Sequence, residues 1–112
     1  MGEPIKFDFW WHPKAIDELL ALDPAARAQL AQRIDLLERA EAPPGKQPEK
    51  IEHSDLWAIK TQVNKVQPRA YCGKRGRTLA VLTVFIKKGQ KAPKKDIDRA
   101  AKRLGDWPAD DG

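Results

Sequence analysis

The chain has 112 residues, 41% of them hydrophobic, a net charge of +5 and a single cysteine, Cys72. That length suits one domain with one modest core, and the composition is that of a globular chain rather than a disordered one. The longest apolar run, residues 79–86 broken by Thr83, is far too short to span a membrane, and the N-terminus lacks the basic-then-apolar pattern of a secretory signal. One cysteine excludes an intrachain disulfide and fits a reducing cytoplasm.

The charge is unevenly placed. Residues 1–59 carry seven Lys/Arg against eleven Asp/Glu, whereas residues 60–112 carry fourteen against five. Such asymmetry points to a phosphate-rich partner or an acidic protein partner, and the plain alternative is a solvated charged face.

In chain order, IKFDFWW alternates: Ile5, Phe7, Phe9 and Trp11 share one face, which predicts a half-buried strand. From Pro13 the period changes. Ile16, Leu19 and Leu20 predict a helix that ends at Leu22, and Asp23-Pro24 opens a second helix with Asp23 as N-cap. Leu30, Ile34 and Leu37 form the second helix's apolar stripe, so the two helices read as a hairpin closed by a proline-rich loop at 43–48.

Three strand-like segments follow. DLWAIKTQV places Leu56, Ala58 and Lys60 on one face. VQPRAYC reads as a weaker strand, because Pro68 cannot donate a ladder hydrogen bond. TLAVLTVFI reads as a strand covered on both faces. A last helix opens at Pro93 with Ile97, Ala100, Ala101 and Leu104 as its stripe, and residues 107–112 read as a loose tail. The predicted class is α+β: an N-terminal strand and helical hairpin packed on a small antiparallel sheet with a C-terminal helix, one domain over residues 1–106.

If the three late strands are neighbours, Lys60, Arg69, Tyr71 and Lys87 or Lys88 converge on one patch. Lys87 and Lys88 point to opposite faces while in strand, so only one of them faces that patch. Lys74, Arg75, Arg77 and Lys91 extend the basic surface, and Lys94 and Lys95 add to it from the helix. No catalytic serine triad, phosphate-binding glycine loop or zinc-ligand set is present in the pattern, so neither cofactor nor metal is expected. Cys72 reads as a packed residue rather than a nucleophile.

The segments LWAIK and PRAYCGKRGRTLAVLTVFIKKGQKAPKKDIDRAAKRL resemble the RelE/ParE toxin superfamily, above all its HigB-like, phage-derived branch. Phe85, Lys87, Lys88, Gln90, Pro93, Ile97, Ala100 and Arg103 carry the likeness, which covers roughly residues 5–106 and is strongest over 56–104. The resemblance implies a toxin of a type II toxin–antitoxin pair. It further implies a metal-independent endoribonuclease that cuts mRNA on the ribosome, with a helix-turn-helix type of antitoxin as partner. Arg69, Lys87, Lys88, Lys60 and Tyr71 then stand as catalytic candidates. Lys74, Arg75, Arg77, Lys91, Lys94 and Lys95 stand as RNA- or ribosome-binding candidates. The chain departs from the superfamily pattern at Ala58, where an acid is usual, and in lacking a C-terminal tyrosine. His12 and His53 are its only histidines. Two alternatives are a ParE-like toxin that binds DNA gyrase and an inactive phage-derived protein that binds nucleic acid or a partner.

Overall fold

The structure, a computed structural model, describes residues 5–90 and 93–109. Lys91 lies outside them.

The period-two segment forms β1 (Asp8–Trp11), and the change of period at Pro13 starts α1 (Pro13–Ala21), followed by α2 (Pro24–Glu38). His12 ends the strand and caps the helix together. Its N–H donates to the Val81 carbonyl at 2.9 Å, and its Nδ1 accepts from the Lys14 N–H at 3.1 Å. Asp23 occupies the N-cap of α2 as expected, but its side chain makes no capping hydrogen bond. Beyond α2 come a two-residue β2 (Glu49–Lys50), then β3 (Trp57–Lys60), β4 (Gln67–Arg75), β5 (Thr78–Lys87) and α3 (Lys94–Leu104).

The strands make one five-stranded sheet in the order β1-β5-β4-β3-β2. The sheet is mixed: β1 runs parallel to β5, and the remaining pairs are antiparallel. Alternation sends side chains to two cores. Phe7, Ile59, Ala70, Cys72, Leu79 and Val81 pack under the helical hairpin with Leu30, Ile34 and Leu37. Leu56, Ala58, Tyr71, Ala80 and Leu82 pack under α3 with Ala100 and Trp107. The result is three layers: hairpin, sheet, single helix.

Two expectations are corrected. β4 is not weak: it is nine residues long and paired on both sides. Pro68 is tolerated because it sits where β3 has already ended. Its carbonyl accepts both the N–H of Thr61 at 3.2 Å and the hydroxyl of Thr61 at 2.7 Å. Nor is the tail loose from residue 107, since Trp107 is 8% exposed and lies in the second core. Gly73 makes that possible: a Cβ there would come within 2.5 Å of Leu104 Cδ1 and 3.1 Å of Trp107 Cζ3.

The decisive irregularity lies in β5. Tyr71 pairs with Thr83 but the next residue, Cys72, pairs with Val81, so Leu82 is the extra residue of a β-bulge. The bulge shifts the parity of everything after it. Leu79 and Val81 belong to the hairpin core, yet Val84 joins them, and Phe85 joins Leu82 under α3.

Beside the bulge the outer edge of β5 is bare, because β1 pairs only as far as Val81. Glu18 and Arg103 cover it. Glu18 Oε1 accepts from the Val84 N–H at 3.0 Å and the Thr83 hydroxyl at 2.9 Å. Arg103 grips both carboxylate oxygens, at 2.9 and 3.0 Å, and donates to the Leu82 carbonyl at 2.9 Å. Burial works to raise the Glu18 carboxyl, but the hydrogen bonds from Arg103, Val84 and Thr83 outweigh it and hold the group below its ordinary value. A depressed carboxyl contributes stability that is present above the unfolded value and lost as pH falls through the folded one. Glu18→Gln is therefore expected to cost about 2 kcal/mol at pH 7. The deficit should shrink below about pH 4, where unfolded glutamate also protonates; urea melts across pH measure both.

The end of α2 yields a second expectation. Ala40 has φ 58°, the left-handed region, where its N–H bonds the Leu37 carbonyl and that of Glu41 bonds the Leu36 carbonyl. This is a Schellman turn with alanine in the glycine position. Ala40→Gly should stabilise the fold by about 1 kcal/mol, read as a Tm increase of about 4 °C.

Candidate active site

Register builds the site. Arg69 on β4 pairs with Lys60 on β3 and Phe85 on β5; Tyr71 pairs with Ala58 and Thr83; Gln67 pairs with Lys87. Because side chains alternate, Lys60, Arg69, Tyr71 and, past the bulge, Lys87 all lie on the α3 side of the sheet. Without the extra residue, Lys88 would have taken that parity. Lys88 instead follows the end of β5 and is exposed.

These residues surround one cavity of about 380 Å³. Ala58, Lys60, Arg69 and Tyr71 form its sheet side, and Lys87 lies at the end of β5. Glu49, Ile51 and Glu52, from β2 and the loop after it, make one wall. Pro93 and Ile97, at the start of α3, make the other. Ala58 leaves room that a larger residue would fill.

Arg69 is the most telling member. Its Nη2 donates to Gln67 Oε1 at 2.5 Å, a neutral partner. Its Nε is buried and has no hydrogen-bond partner among the described residues. No carboxylate lies within ion-pair distance of it among those residues, so its charge is uncompensated. Lys87 Nζ also has a neutral partner, the Gly89 carbonyl at 3.1 Å. Lys60 Nζ stands 3.5 Å from Glu49 Oε1. Lys50, which also lines the cavity, donates through Nζ to the Ser54 carbonyl, so three of the four lining cations have only neutral partners and keep their full charge for a ligand.

Tyr71 is 5% exposed and packs edge-on against Phe85, with ring centroids 4.8 Å apart. Burial raises its hydroxyl above the ordinary tyrosine value; nearby Arg69 opposes the shift and Asp96 adds to it. The phenol is therefore protonated at neutral pH and is a proton donor. Burial pushes the Cys72 thiol far up, in keeping with a packed residue.

Other sequence candidates lie elsewhere. Lys74 Nζ sits 5.2 Å over the Trp57 ring, and Arg75 lies 3.9 Å over Trp107 while donating to the carbonyls of Pro108 and Trp107. Arg77 is exposed near the β4–β5 turn, and Lys94 and Lys95 are exposed at the start of α3. His53 is exposed in the wall loop with φ 61° but does not line the cavity. His12 is buried and bonded to Asp106 at 2.8 Å. Glu49 and Glu52 escaped sequence reasoning. Their segment reads as loop, and a two-residue strand defined only by its pairing to β3 has no periodicity to detect.

A search of curated proteins returned no match to this chain. A family model described as Phage derived protein Gp49-like (DUF891) matches residues 17–105, from within α1 to the residue that closes α3. The chain accordingly belongs to the Gp49-like phage-derived protein family, a RelE/toxin-like family.

Proposed function

We propose that the chain is the toxin of a toxin–antitoxin pair, of HigB-like type, and that it cleaves mRNA on the ribosome. The observation that carries this is the gathering of Lys60, Arg69, Lys87 and a protonated Tyr71 around one cavity with carboxylates on its wall. In the reaction the ribose 2′-hydroxyl loses its proton and attacks the adjacent phosphorus. The bond from phosphorus to the 5′-oxygen of the next nucleotide then breaks. The products are a 2′,3′-cyclic phosphate and a free 5′-hydroxyl. Arg69 and Lys87 stabilise the charge that grows on the non-bridging oxygens. Tyr71 gives a proton to the departing 5′-oxygen, and a wall carboxylate, Glu49 or Glu52, takes the one released by the 2′-hydroxyl. The antitoxin, an acidic or helix-turn-helix protein, would silence the chain by covering this basic face.

Arg69→Ala and Lys87→Ala are each expected to slow cleavage about 10²–10³-fold, and the double variant to abolish growth arrest while circular dichroism stays unchanged. Full toxicity in a folded double variant would remove the site assignment. Transcripts left intact during arrest, with gyrase-linked DNA breaks, would favour a ParE-like toxin instead. No arrest at all would favour an inactive binding protein.

Tyr71→Phe should lower kcat about 10²-fold or more. Because the shift is upward, the wild-type rate should hold through neutral pH and fall only above the ordinary tyrosine range. The variant should lose that alkaline limb. A pH profile of single-turnover cleavage measures both effects.

A further inference from the structure

A second cavity, of about 280 Å³, opens at the other end of β4 and β5, lined by Trp10, Arg75, Thr78, Trp107 and Pro108. Along β4 it lies six residues from Arg69, about 20 Å. Its aromatic side is already assembled: Trp10 and Trp107 stack with centroids 6.3 Å apart and planes 18° from parallel, and Arg75 lies over Trp107. Gly73 and Arg75 hold Trp107 there, one by leaving room for the ring and the other by bonding the carbonyls that follow it. Trp10 remains half-exposed toward the opening.

The turn beside this ledge is basic. Arg75 and Arg77 are exposed around a single tight turn, and neither makes an ion pair among the described residues; Lys74, also exposed, turns to the other face of the sheet, over Trp57. Asp8 pairs with Thr78 in register but forms no ion pair with them. An indole ledge flanked by unpaired cations matches a flat base joined to a phosphate. It matches an apolar peptide less well, since such a peptide would leave the cations without a partner. Between the two cavities runs the outer face of α3, where Lys95 and Lys102 are exposed.

We infer that the Trp10–Trp107 cavity is a stacking subsite for one unpaired base of single-stranded RNA, with Arg75 and Arg77 of the β4–β5 turn holding the adjoining phosphates. The choice of RNA rests on the proposed function; the test, however, reads binding alone. It uses a fluorescent six-nucleotide 2′-O-methyl RNA, which cannot be cleaved, and an abasic strand of equal charge. The base-bearing strand should bind about tenfold tighter than the abasic one, within the range of one base–aromatic stack. Trp10→Ala should erase that difference. Thr78→Glu, which places a negative charge in the cavity without touching the stacked rings, should weaken both strands. Arg77→Ala should lower the salt slope by about 0.7. Equal binding of the two strands, an unchanged preference in the folded Trp10 variant, or unchanged affinity in the folded Thr78 variant overturns the inference. So does displacement of the RNA by acetyl-tryptophanamide at equal concentration, which would assign the cavity to a protein side chain. Base-dependent binding that persists in a chain unable to cleave RNA upholds this subsite while rejecting the nuclease.

Discussion

The extra residue in β5 is the constraint from which the site follows. A bulge exchanges the faces of every later side chain in its strand, and here it turns Phe85 and Lys87 toward α3 rather than toward the helical hairpin. A bulge also leaves backbone groups misaligned, and this one sits where β1 has stopped. The Glu18–Arg103 pair resolves both difficulties. One carboxylate and one guanidinium satisfy the Val84 N–H and the Leu82 carbonyl while tying α1 to α3 across the strand edge. A half-buried ion pair is a poor source of net stability on its own. Its worth here is positional, because two helices and the bulged strand are held in one arrangement.

That arrangement explains how a cationic cavity persists inside a small fold. Burying an unpaired guanidinium nitrogen is costly, and gathering like charges adds repulsion. Of the wall acids, Glu49 stands beside Lys60, and neither it nor Glu52 forms an ion pair with Arg69 or Lys87 among the described residues; Glu18, Asp96 and Asp106 are taken by Arg103, Arg99 and His12. Arg69 is left with a glutamine. The molecule thus separates structural charge pairs, which hold α3 in place, from unpaired charge, which faces the cavity α3 partly covers. A phosphate entering that cavity would relieve the unfavourable term, which is how binding energy is directed at a reacting group rather than spent uniformly.

α3 consequently does two things. Its inward arginines, Arg99 and Arg103, lock the sheet edge, and its ends border two separate cavities, one cationic and one aromatic. Arg103 stands within the motif that carries the resemblance to the RelE superfamily, and its geometry here is architectural. Motif membership and contact with a ligand are therefore different properties in this chain.

Much of this was open to reading from the sequence. Period two in IKFDFWW, period 3.6 in the three helices and the apolar run of β5, interrupted only by Thr83, determined the elements, because burial acts on each through its own local geometry. The candidate cations of β3 and β4 were also legible, since Lys60, Arg69 and Tyr71 occupy one parity in uninterrupted strands. Three matters belonged to the tertiary structure alone. Whether Lys87 or Lys88 faces the cavity depended on a bulge, and a bulge is a property of two strands in register. Glu49 and Glu52 became wall residues only when β2 paired with β3. Trp107 left the expected tail for the core because Gly73, more than thirty residues earlier, offers no Cβ to exclude it. Local pattern decides which face a residue prefers; only the partner strand or helix decides what that face meets.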